Sequence, residues 1–157
     1  MTARQVGVAL ALGAGCVDKG DDSGGVAPGP AVEAWAQDSC APDDGPALEL
    51  RLNTAASECA ADWLDASFQM AVLLFGSPAT TGSSHDLADG GSVFVSAQID
   101  GRVTTGVSSG TLWIDGADAV GGSISGHYQI DLLVDGATEA RSGSFVAPWC
   151  AAEGKCG

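Results

Sequence analysis

GSISGHYQIDLLVDG, residues 122–136, is the stretch on which the fold turns. Ile124, Tyr128, Ile130, Leu132 and Val134 share one parity, and Ser123, His127, Gln129 and Asp131 share the other. A period of two marks a β-strand with one apolar and one wet face. Asp135-Gly136 then supplies the positive φ values that a tight hairpin turn demands. A second strand is expected to run back over about Ala137 to Ala147.

The same signature extends towards the N-terminus. Val93, Val95, Ala97 and Ile99 alternate with Phe94, Ser96 and Gln98, while Leu48, Leu50 and Leu52 alternate with Glu49, Arg51 and Asn53. Phe68 to Phe75 is apolar at both parities, which predicts a central strand covered on both faces. Leu112 and Ile114 flank Trp113 in a further short run that ends at Asp115-Gly116, read as a turn. Between Thr54 and Asp65 the alternation breaks, and Ala55 to Leu64 suits a short helix or a loop held by Cys59. Short strands punctuated by Asp-Gly predict an all-β domain, a small antiparallel β-sandwich or a partly open barrel of about six to eight strands.

The N-terminal region has a different grammar. Met1 to Arg4 carries one cation, Gln5 to Gly15 is apolar and small, and charge with glycine returns after Cys16. The apolar run is too short to span a bilayer, which needs about 20 helical residues, but it suits an export signal. The expected organisation is a signal peptide over 1–15, a lipidated Cys16 opening a Gly/Pro/Asp linker over 16–46, and a disulfide-closed β domain over 47–157. Trp35 and Cys40 would pin the second half of that linker to the domain.

With Cys16 acylated, Cys40, Cys59, Cys150 and Cys156 form an even set, expected as two disulfides in an oxidising compartment. Three pairings are open; the preferred one ties Cys59 to Cys150 and closes the ends through Cys40–Cys156. No Cys-x-x-Cys spacing supports zinc, and no cofactor or metal is expected. A formal charge of −14, from 6 basic and 20 acidic residues, repels phosphate backbones and argues against nucleic-acid binding. Membrane association is therefore expected to come from the acyl anchor, with an envelope protein or a glycan as partner.

Two sets of motifs carry a resemblance. Leu12-Gly13-Ala14-Gly15-Cys16 is similar to a lipobox, with Gly13 where the leucine usually stands. The strand from Ser125-Gly126 through Tyr128, the Asp135-Gly136 turn and Gly143-Ser144-Phe145-Val146-Ala147-Pro148-Trp149-Cys150 resemble the C-terminal hairpin of small uncharacterised secreted lipoproteins of Gram-negative bacteria. The resemblance implies an exported, β-rich, disulfide-closed domain held at the cell envelope, with the outer membrane favoured. It brings no catalytic activity.

The sharpest enzymatic pattern is Gly106-Val107-Ser108-Ser109-Gly110, followed by Asp115 or Asp118 and then His127, the residue order of an α/β-hydrolase. Its context is wrong, because a nucleophile elbow needs a helix next and a strand follows here. An envelope serine hydrolase using Ser108 and His127 is thus one alternative. A carbohydrate-binding domain is another, with Trp113, His127 and Gln129 lining a polar, aromatic surface. His127 and Asp131 stand about 13 Å apart along a strand, too far to share a metal. The expected protein is a lipid-anchored, non-enzymatic binding or structural module.

Overall fold

In a computed structural model, described here for residues 29–43, 45–53, 59, 67–76, 79–118 and 121–151, the chain is all-β. It forms one nine-stranded sheet built from β1 (Ala31–Cys40), β2 (Pro46–Asn53), β3 (Phe68–Phe75), β4 (Ser84–Asp86), β5 (Val93–Ile99), β6 (Arg102–Val103), β7 (Gly106–Ala117), β8 (Ser123–Val134) and β9 (Ala137–Pro148). The spatial order is β4-β7-β8-β9-β1-β2-β3-β5-β6. Neighbours are antiparallel except β1 and β9, which run parallel over Ala31↔Ser144 to Glu33↔Val146. The expectation of a wholly antiparallel sheet fails at that one seam, because the N-terminal strand enters beside the C-terminal one in the same direction.

The sheet curls on itself without closing. Phe68 on β3 stacks on Tyr128 on β8 with ring centroids 6.2 Å apart, although β9, β1 and β2 lie between those strands in the sheet. Arg102 of β6 reaches Glu139 of β9 at 2.9 Å, and the Thr105 amide donates to the Leu133 carbonyl. Of the two expected architectures, this is the partly open barrel. Its apolar lining is a single cluster drawn from both halves, including Leu50, Leu52, Met70, Val72, Ile99, Leu112, Ile124, Ile130 and Leu132, all nearly inaccessible. Burial of this apolar surface is the main force holding the curl.

Strand β1 corrects the expected linker, since residues 31–40 belong to the sheet. They gain backbone partners on both sides, β2 along Glu33–Cys40 and β9 at the start, and they bury Ala34, Trp35 and Ala36. Small alanines give little alternation in hydropathy, which hides such a strand. The wet face expected for β2 is also covered. Glu49 is 6% exposed, accepting from Gln37 Nε2 at 2.8 Å and from Arg51 Nε at 2.6 Å, while Arg51 lies over the Trp35 ring. Satisfying both carboxylate oxygens makes that burial tolerable. Strand β3 is buried on both faces, as its continuous apolar run predicts.

Two Asp-Gly pairs behave as expected. Asp100-Gly101 and Asp135-Gly136 each hold positive φ at both residues, the requirement of a primed hairpin turn. Asp115-Gly116 does not turn; it lies inside β7 at a register shift between Ile114 and Gly116. Asp44, Cys16, Cys156 and all of the expected helix near 55–64 except Cys59 lie outside the described residues. Cys59 is bonded to Cys150, the preferred pairing, with Cα atoms 5.5 Å apart across a separation of 91 residues. Cys40 is disulfide-bonded too, but the Cys156 end of the expected second bridge is not described.

Candidate ligand-binding face

Strands β7, β8 and β9 turn one parity to the core and the other outward. On β8 the buried set is Ile124, Gly126, Tyr128, Ile130, Leu132 and Val134, so Ser125, His127, Gln129 and Asp131 face out. The β7–β8 register sets Trp113 opposite His127, Thr111 opposite Gln129 and Ser109 opposite Asp131. Strand β4 continues two of these rows with Ser84 beside Trp113 and Asp86 beside Thr111. On the other flank, Ser144 and Ser142 of β9 stand beside His127 and Gln129. The three surface candidates Trp113, His127 and Gln129 therefore occupy one outward face.

Trp113 and His127 are stacked, with ring centroids 4.8 Å apart and planes 12° from parallel. That separation matches the spacing of neighbouring strands, about 4.8 Å, so both rings stand upright from the sheet. His127 Nδ1 lies 2.9 Å from Asp115 Oδ2. Asp115, two residues on from Trp113, shares its outward parity and stands at the register shift between Ile114 and Gly116. A reading of Asp115-Gly116 as a turn conceals that partnership.

Below the stack the surface is polar and shallow. Ser109, Thr111, Trp113, Gln129 and Asp131 border a depression of about 250 Å³. A second, of about 560 Å³, continues along β7 past Ser84, Asp86 and Ser108 and shares Ser109 and Thr111 with the first. Ser109 Oγ donates to Asp131 Oδ2 at 2.7 Å, and Ser108 Oγ donates to the Asp131 carbonyl at 3.2 Å. Ser109 and Thr111 share the parity of Trp113, so the same period-two reading reaches them.

The hydrolase constellation does not assemble. Ser108 sits at the register shift between Val107 and Ser109 within a strand, five positions from the Trp113 that faces His127, roughly 16 Å at strand rise. Strand β7 continues past Ser108 to Ala117 where an elbow needs a helix, and the imidazole is engaged by Asp115 and Trp113. His85 lies apart on β4 opposite Leu112, half-buried, with Nε2 3.2 Å from Ser83 Oγ; burial lowers its pKa. Among the described residues, no group of three or more His, Cys, Asp or Glu could hold a metal ion. No protein-family model, no curated protein and no solved structure matches the chain.

Proposed function

We propose that this protein is a lipid-anchored cell-envelope protein whose β domain is a non-enzymatic binding module. The observation that carries the reading is the gathering of Trp113, His127 and Gln129, with Thr111 and Asp131, on one outward sheet face. An upright aromatic beside amide, hydroxyl and carboxylate groups suits recognition of a polar ligand. The N-terminal grammar around Cys16 and the resemblance to exported lipoproteins support the anchor, with the outer membrane favoured. Two acyl attachments would hold the chain stably, since one lipid chain gives only marginal binding.

The test has two arms in the natural host. Mass spectrometry should find an acylated Cys16 as the mature N-terminus. A photo-crosslinking side chain at Gln129 should capture an envelope component that the same group at Asp100, on a remote turn, does not. An intact Met1, or equal capture from both positions, defeats the reading.

A further inference from the structure

We propose that the β7–β8 face binds a neutral oligosaccharide, with one sugar ring against the indole of Trp113 and the next over Thr111; this rests on the binding-module reading above. The first argument is the attitude of the ring. Trp113 stands between His127 and Ser84 in one row of the sheet. His127 covers one face of the indole at 4.8 Å, and the opposite face looks across β4, where Ser84 is exposed and too small to cover it. An upright aromatic surface open on one side suits the C–H face of a pyranose, which is flat and apolar.

The second argument is the chemistry around that ring. Gln129 is exposed and offers an amide that both donates and accepts. Asp131 engages Oδ2 with Ser109, and Asp86 engages Oδ1 with the Ala88 amide, so each of these lining carboxylates has a second oxygen to offer sugar hydroxyls. Thr111 adds a hydroxyl between them. Planar acceptors spaced along strands can pair the vicinal hydroxyls that distinguish a sugar from other neutral solutes.

Shape and charge narrow the class. The two depressions, about 250 and 560 Å³, share Ser109 and Thr111 and so run on from one another, which calls for more than one ring. Among the described residues no lysine or arginine borders either depression, while Asp86 and Asp131 do. Those carboxylates, in a chain of formal charge −14, disfavour uronates, sialosides and phosphorylated glycans.

The test uses the full chain in a non-glycosidic detergent and isothermal titration with maltotetraose, cellotetraose, chitotetraose and, as the anionic probe, trigalacturonate. At least one neutral tetrasaccharide should bind saturably, and trigalacturonate at least tenfold more weakly. Trp113→Ala and Gln129→Ala should each weaken binding by about tenfold, the scale of one lost contact. Gln129 is exposed, so its variant decides the matter should Trp113→Ala misfold. The assignment fails if no neutral tetrasaccharide binds, if trigalacturonate binds as well, or if Gln129→Ala keeps full affinity. Should the sugars fail while a crosslinker at Gln129 captures an envelope protein, the saccharide falls and the binding module stands; if neither binds, both fall.

Discussion

Phe68 and Tyr128 are four strands apart in the sheet, yet their rings stack 6.2 Å apart with planes 21° from parallel. This contact joins the two halves of the curl through the middle of the core, where Phe68 is 4% and Tyr128 2% exposed. Phe68→Ala would leave a cavity on the line between the halves and should cost about 3–5 kcal/mol. Phe94 is 55% exposed on the outer side of β5, and Phe94→Ala should cost under about 0.5 kcal/mol. Urea unfolding of both variants measures the difference. Equal losses would mean that the curl does not depend on this contact.

Tyr128 is the sole tyrosine, so an ultraviolet titration of phenolate absorbance reports that one group. Burial disfavours the phenolate and pushes its pKa up to about 12, against a smaller lowering by the Arg141 charge. The folded state therefore prefers the protonated phenol relative to the unfolded chain, where the pKa is about 10. The sign follows: Tyr128 does not reduce stability below about pH 10, and stability falls as pH rises from there towards 12, by about 2–3 kcal/mol in all. Tyr128→Phe should remove most of that slope. A phenol titrating near 10 while the protein remains folded would contradict the burial.

How far the sequence reveals this structure depends on how each strand earns its place. Strands β5 and β8 were legible because apolar side chains keep a period of two, β3 because it is apolar at both parities, and β9 because it follows the Asp135-Gly136 turn. Strand β1 was not, since its buried residues include two small alanines, and backbone pairing on both sides supplies much of its hold. Glu49 misled for another reason: a carboxylate with partners at both oxygens can be buried, and alternation alone scores it as wet. At the binding face, Trp113, His127 and Gln129 follow from alternation. Asp115 shares their outward face by the same alternation, but the Asp115-Gly116 dipeptide reads as a turn and so hides that the strand continues through it.

The Cys59–Cys150 bridge spans 91 residues and ties the segment before β3 to the end of β9. Cys150 also donates its amide to the Ala36 carbonyl at 2.7 Å, so the bridge joins a point already fastened to β1. Closing so long a loop restricts the unfolded chain, and its removal should cost about 2–4 kcal/mol. The double variant Cys59→Ala with Cys150→Ala isolates this bond, which a general reductant cannot do because Cys40 is bonded as well. Its urea midpoint should fall while far-ultraviolet circular dichroism remains that of a sheet. An unchanged midpoint would remove the bridge from the account of stability.

Three glycines separate the reasons a glycine can be required. At Gly143 the limit is space: a Cβ would lie 2.9 Å from the Tyr128 ring, 3.0 Å from its hydroxyl and 3.1 Å from the Pro30 carbonyl oxygen. Tyr128 is opposite Gly143 in the β8–β9 register and is already held against Phe68, so the ring has little room to retreat. Gly143→Ala should therefore cost about 1–3 kcal/mol through overpacking. At Gly136 the limit is conformation, since nothing stands within 4 Å but φ is +82°. Gly136→Ala should cost about 1 kcal/mol by backbone strain alone. At Gly90 neither limit applies: the site is exposed, open and without a left-handed φ. Gly90→Ala should be neutral or stabilise by up to about 1 kcal/mol, because it narrows the unfolded ensemble. Denaturation of the three single variants checks the order, and Gly143→Ala should also alter the Tyr128 titration. A harmless Gly143→Ala beside a damaging Gly90→Ala would reverse the packing assigned to this hairpin.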